Sequence, residues 1–157
     1  MPTTVTFGNV IYTLTTSTSG NTASVTGNNL STLTDVTIPS SITYDSVIYT
    51  VTSIGSTAFN MSSYLASIVI PETVTIIANG FAPSNGAFNG CFELTAVTIG
   101  ANVTTIGECA FYLCSKLTAV IIPDAVTSIG SYAFARCSEL TAVIIPDAVT
   151  SIGNDAF

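Results

Sequence analysis

The stretch LTAVIIPDAVTSIG stands at residues 117–130 and again, letter for letter, at residues 140–153. A catalytic centre needs each of its groups once. Identity repeated at a fixed interval points instead to a structural unit, copied so that each copy buries its apolar face against the next. Working outward, LTAVTIGANVTTIGECAFYLCSK (94–116) and LTAVIIPDAVTSIGSYAFARCSE (117–139) set the period at 23 residues, and the copy from Leu140 stops at Phe157. Towards the N-terminus, LASIVIPETVTIIA (65–78) continues in register into NGAFNGCFE (85–93) once Asn79–Ser84 is removed, and the composition of that insertion predicts a surface loop. LTDVTIPSSIT (33–43) with VTSIGSTAFNMSSY (51–64) forms one more copy, expanded through YDSVIYT and its flanks. The count is five copies, the last incomplete.

Within one unit the residue types dictate the local structure. Leu117, Val120 and Ile122 have the L-x-x-V-x-I spacing of a strand whose alternate side chains enter a core, and Pro123 ends it. Val126 and Ile129 form a second short buried stretch. Gly130 permits a tight bend, and Ala133 with Phe134 is predicted on a short helical or 3₁₀ turn. Each unit is then one coil, and stacked coils pair their strands in parallel at a rise of roughly 4.8 Å. The preceding VTFGNVIYTLTTSTSGNTASVTG (5–27) alternates β-branched or aromatic residues with small polar ones, the pattern of a hairpin or meander.

The pattern L-x-x-V-x-I-P-x-x-V-T-x-I-G-x-x-A-F-x-x-C, carried by residues 33–157, resembles the BspA-like, or Treponema-type, leucine-rich repeats. The segment ITYDSVIYTVTSIGSTAF (42–59) is similar to the first repeat of such proteins, which usually follows a small β cap. Three positions depart from the pattern: Ala78 stands where glycine is expected, Gly100 replaces the proline after the strand, and Ser62 takes the place of the first cysteine. The expectation is a strand-dominated α/β chain: a right-handed leucine-rich-repeat solenoid with parallel strands and 23-residue coils. Residues 1–32 are its N-terminal β cap and 33–157 its repeats, in one structural domain. The resemblance implies noncatalytic adhesion or protein binding on a cell surface, with large DNA viruses as another setting for similar repeats.

Composition narrows the partners. Of 157 residues 48% are hydrophobic, enough for a continuous core, and only 7% are charged against about 25% in ordinary soluble domains. Two cations, Lys116 and Arg136, face nine acids for a net charge of −7, so nothing neutralises phosphates and nucleic acid is not an expected partner. No apolar run reaches the roughly 18 residues that a bilayer span needs, so no membrane insertion is expected. The start MPTTVTFGNVIYTL lacks the basic and apolar regions of a secretory leader, so the expected extracellular or cell-surface location, with a virion or extracellular filament as the alternative, rests on the resemblance alone.

Chemistry is sparse. With no histidine in the chain and no carboxylate, lysine or cysteine in an activating context, no acid–base pair or nucleophile suggests itself, so neither catalytic residues nor a cofactor are expected. Cys91, Cys114 and Cys137 follow one another by 23 residues and should stack as a column. A disulfide or a metal site is one reading. A buried, reduced ladder is the other, because three equivalent side chains cannot all pair and C-x-x-C is missing. Glu72, Asp124 and Asp147 share the position after the proline, as a solvated turn row or an acidic edge for calcium.

The outward strand positions are Ala66, Ser67 and Val69; Thr95, Ala96 and Thr98; Thr118, Ala119 and Ile121; and Thr141, Ala142 and Ile144. This face is small, uncharged and increasingly apolar, which makes Val69, Thr95, Thr98, Thr118, Ile121, Thr141 and Ile144 the candidate partner-binding residues. The plainer alternative is that these β-branched residues simply favour strand. The runner-up function is a self-assembling subunit of a head-to-tail filament or coat, joined through an open end at Ile152 and Phe157. A protein partner or further copies of the chain are thus the expected partners.

Overall fold

A computed structural model describes residues 2–32, 34–81 and 85–157. Leu33, the first position of the first copy, and residues 82–84 of the predicted loop lie outside the described residues.

Three antiparallel strands come first: β1 (Thr3–Phe7), β2 (Val10–Thr15) and β3 (Thr22–Asn28). Gly8, at φ 58°, makes the tight β1–β2 turn, and Phe7 packs edge-on against Tyr12. The alternation in VIYTLT delivers Val10, Tyr12 and Leu14 to the core. After β4 (Asp35–Thr37), β5 (Ser41–Tyr44) and β6 (Val47–Ile54) form a hairpin whose two turn residues, Asp45 and Ser46, both have positive φ. This is the primed turn that matches strand twist, and it accounts for the expansion YDSVIYT.

The repeats then alternate two ladders. One contains β4, β7 (Ser67–Val69) and β9 (Ala96–Thr98), followed by the separate pair β11 (Ala119–Ile121) and β13 (Ala142–Ile144). The other runs β6, β8 (Ile76–Ile77), β10 (Thr105–Ile106), β12 (Ser128–Ile129) and β14 (Ser151–Ile152). Every pairing between coils is parallel. β3 lies parallel to β6, Val25 opposite Ile54, so the N-terminal strands and the second ladder are one continuous sheet. A threonine column supports this side: the hydroxyls of Thr104, Thr127 and Thr150 each donate to the carbonyl of the equivalent threonine one coil earlier, at 3.1–3.3 Å.

The third side of each coil departs from expectation. No described residue is helical, so the α part of the α/β assignment does not hold and the chain is built on strands and turns. The reason lies in where the N–H groups point. Ala110, Tyr112 and Cys114 donate backwards to the carbonyl three residues earlier, whereas Cys109, Phe111 and Leu113, between them, donate across to Ser131, Ala133 and Ala135 of the next coil. A helix sends every N–H along its own axis. Here Cys109, Leu113, Tyr132 and Arg136 adopt φ of 54–61°, which swings alternate peptides out of the coil to meet their neighbours.

The core consists of columns. Leu65, Leu94 and Leu117; Ile70, Ile99 and Ile122; Val74, Val103 and Val126; and Ile77, Ile106 and Ile129 are all buried. Each fully buried aliphatic side chain of this kind is worth about 1.5–3 kcal/mol. Beside them Phe59, Phe88, Phe111, Phe134 and Phe157 stack with centroids 5.2, 4.9, 5.2 and 5.5 Å apart and planes within 7°. The repeated glycine is explained by close approach: a Cβ on Gly130 would stand 2.4 Å from the Glu108 nitrogen.

Candidate recognition surface

The strand face of the first ladder follows directly from the two-residue period of its strands. In β7 and β11, Ile68 and Val120 point into the core while Val69 and Ile121 point out. Thr95, Thr98, Thr118, Thr141 and Val69 are exposed, and Ile121 and Ile144 are each 83% exposed and directly opposite in register. The structure thus brings these side chains onto one surface. Thr95 differs from the others in that its hydroxyl donates to the Ala66 carbonyl at 3.1 Å. Ile152 and Phe157 lie about half exposed on the last coil, away from that face: Ile152 is on the second ladder, and Phe157 closes the phenylalanine stack.

Acids border the face. Asp124 and Asp147, and Glu72 before them, are exposed on the turns that follow the strands. Asp35 accepts the Ser67 hydroxyl at 2.5 Å. Lys116 lies in an exposed ion pair with Glu93, 2.8 Å away, and that carboxylate holds the ammonium above its ordinary pKa. Among the described residues no group of three or more histidine, cysteine, aspartate or glutamate side chains is placed to hold a metal ion.

The cysteine column is fully inside. Cys91, Cys114 and Cys137 carry free thiols whose Sγ donates to the carbonyls of Phe59, Phe88 and Phe111, each one coil earlier, at 3.1–3.2 Å. Burial pushes Cys91 up to about 12 and Cys114 well above its ordinary value. Cys109, outside the column, is raised by burial and then by the Glu108 charge. A neutral S–H is a donor, a thiolate is not, so burial and these interactions favour the protonated form at Cys91 and Cys114, whereas the Cys137 thiol is held below its ordinary value, chiefly by its hydrogen bond with the Cys114 side chain. At Ser62, where the column lacks its cysteine, Asn28 of β3 donates to the Ser62 hydroxyl at 3.1 Å and to the Ala58 carbonyl at 2.7 Å. That tie between the N-terminal strands and the first coil was not apparent from sequence, since Asn28 lies outside the repeat pattern.

The first ladder is not continuous. β9 pairs with β7 and β11 with β13, but the sheet divides between β9 and β11. At the C-terminal ends of these two strands lies a cleft of about 410 Å³, walled by Val97, Thr98, Ile99, Ile121 and Ile122, with Ala101 on one side and Pro123 and Asp124 on the other. Beside it lies the departure at Gly100. Where other coils carry Pro71-Glu72, Pro123-Asp124 or Pro146-Asp147, this coil carries Gly100-Ala101, which removes a ring and a carboxylate from the turn. Gly100 also sits hard against the preceding coil, its missing Cβ only 2.3 Å from the Pro71 carbonyl oxygen. The departure was legible as a missing proline; the cleft requires knowing that this turn faces the end of β11.

Parallel ladders, stacked aliphatic columns and one turn-lined side define a solenoid of stacked sequence repeats. Residues 28–157 match the BspA type leucine rich repeat region in six copies, and the chain belongs to that family. The crystal structure of a leucine-rich repeat protein from Bacteroides ovatus is 32% identical with a TM-score of 0.78, covering 98% of this chain and 38% of its own. A leucine rich cell surface protein from Faecalibacterium prausnitzii is 31% identical with a TM-score of 0.69, covering 100% of this chain and 46% of its own. A leucine-rich repeat protein from Bacteroides capillosus is 26% identical with a TM-score of 0.66, covering 96% of each chain. The chain therefore spans less than half the length of the first two. Nothing among curated proteins matches it. Among the described residues no helix is long and apolar enough to cross a membrane.

Proposed function

We propose that this chain is a noncatalytic recognition module that holds a protein, or a further copy of itself, against the strand face of β7, β9, β11 and β13. The observation that carries the reading is the pair Ile121 and Ile144, opposite one another in register and 83% exposed, on a surface otherwise of threonine and alanine. Two aligned isoleucines held outward by rigid strands give a partner an apolar anchor, and desolvated anchors of this kind supply most of the energy of protein interfaces. A noncatalytic role accords with a chain that has no histidine and in which burial holds the Cys91 and Cys114 thiols protonated. The similarity to a cell surface protein favours an extracellular, surface-bound setting. The finer architecture belongs to the same reading: right-handed coils of 23 residues, with β1 to β3 as a cap.

The test compares the wild-type chain with Ile121→Asp/Ile144→Asp, and with Thr18→Asp in the β2–β3 turn as control, on an array of immobilised extracellular proteins and in sedimentation over a concentration series. Array signals, or concentration-dependent association, that vanish in the double variant and persist in the control are expected. Binding that survives the double variant overturns the assignment to this face.

A further inference from the structure

We propose that the cleft between β9 and β11 receives a lysine or arginine side chain of a protein partner, with its aliphatic stem on Ile121 and Val97 and its cation at Asp124. This inference rests on the strand face being the recognition surface and adds the chemistry of what it recognises.

Three features of the cleft lead there. Its walls are apolar along their length, formed by Val97, Ile99, Ile121 and Ile122, yet its rim carries one carboxylate, Asp124, and one hydroxyl, Thr98. A long basic side chain matches that division, because its methylene stem buries against apolar surface while its charged end stays at a polar rim. Secondly, no described cation neutralises Asp124: the chain has only two, Lys116 is engaged by Glu93, and Arg136 lies on the turn side of its coil. An uncompensated carboxylate beside an apolar surface, on a chain of net charge −7, favours a cationic visitor and disfavours an acidic one. Thirdly, the position is singular. The turn after β9 carries Gly100-Ala101 where those after β7 and β11 carry a proline and an acid, so this cleft is bordered by Ala101 from one coil and by Pro123 and Asp124 from the next. The same carboxylate type at Asp147 belongs to a turn that does not line this cleft, and so provides an internal control.

The experiment uses four capped pentapeptides, Thr-Val-X-Val-Thr with X as lysine, arginine, norleucine or glutamate. Each is titrated into the isotopically labelled full chain to about 10 mM, because a single side chain supports only ~1 mM affinity. The isoleucine methyls and the backbone amides of Thr98, Gly100 and Ala101 are followed by NMR. The lysine and arginine peptides should shift the Ile121 methyl and the Gly100 and Ala101 amides saturably, with norleucine at least fivefold weaker and glutamate inert. Asp124→Asn should weaken the lysine peptide at least fivefold and leave norleucine unchanged. Ala101→Leu, which fills the cleft, should abolish both, and Asp147→Asn should change neither. Equal binding of lysine and norleucine, shifts that follow charge to Asp147 or Asp35 as strongly as to the cleft, or no cleft shift at all would each overturn the proposal. If the proposal fails while array binding still requires Ile121 and Ile144, the strand face stands and only its basic guest is lost. If array binding survives Ile121→Asp/Ile144→Asp, the face itself is wrong.

Discussion

Truncation of Phe111 to alanine is the sharpest probe of how the coils hold one another. Its ring is fully buried, with centroids 4.9 Å from Phe88 and 5.2 Å from Phe134 and planes tilted by only 7° and 6°. Carbon atoms in contact sit about 3.5–4.0 Å apart, so centroid distances near 5 Å mean that the rings are slipped sideways, the favourable offset arrangement. Phe111→Ala therefore removes burial, leaves a cavity and breaks two stacks, at an expected cost of about 3–5 kcal/mol. Phe157 has one stacked neighbour at 5.5 Å and is half exposed, so Phe157→Ala should cost about 1–2 kcal/mol on the same scale. Urea unfolding monitored by far-ultraviolet circular dichroism and tyrosine fluorescence measures both, and the slope reports whether the array still unfolds as one unit. A Phe111→Ala cost below about 1.5 kcal/mol, or one equal to that of Phe157→Ala, would refute the argument that stacked rings couple the coils.

Three further outcomes follow from the geometry. Gly130→Ala places a Cβ 2.4 Å from the Glu108 nitrogen and should destabilise by about 1–3 kcal/mol in the same urea assay; an unchanged midpoint would show that the coils separate easily. Ile121→Asp/Ile144→Asp, on side chains that are mostly solvent-exposed, should remove partner binding while costing about 1–2 kcal/mol of unfolding free energy, from lost strand propensity and two like charges placed opposite one another, and a loss above about 4 kcal/mol would place those residues in the core. The Cys91 and Cys114 thiols should resist an aromatic disulfide reagent at pH 8 until urea is added, with Cys137 the first of the column to react. Because Cys91 and Tyr12 both titrate near 12 in the folded chain, above their ordinary values near 9 and 10, the folded state holds those protons more tightly. Stability should be full below pH 9 and fall as pH rises from 9 to 12; stability that increases over that range would contradict their burial.

Much of this fold is legible in the sequence, for a physical reason: a column is a one-dimensional pattern. Leu117, Val120 and Ile122 recur at a fixed interval because they meet their own equivalents, so period and alternation together separate Ile122, inside, from Ile121, outside. The Cys91, Cys114 and Cys137 column is likewise buried and unbridged. The turn side was not readable. Cys109, Leu113, Tyr132 and Arg136 adopt left-handed backbone without being glycine, so no composition signal announced the alternate bonding that excludes a helix. Nor was the cleft, because Gly100 and Ala101 identify an unusual turn only by sequence, and the hollow beside Ala101 depends on Ile121, Pro123 and Asp124 of the next coil.

The self-matching of the coils has an evolutionary corollary. Because residues 117–130 and 140–153 are the same and Ile121 lies opposite Ile144, the upper surface of one coil and the lower surface of the next are interchangeable parts. Excising residues 117–139 would let Leu140 follow Lys116, with Phe157 taking the seat of Phe134 and Asp147 that of Asp124, and would restore the same cleft against Gly100 and Ala101. Whole-coil duplication or loss is thus an edit of length that keeps the packing between coils, but loss of this coil leaves one outward isoleucine in place of the Ile121–Ile144 pair, so coil number also sets what the strand face can hold.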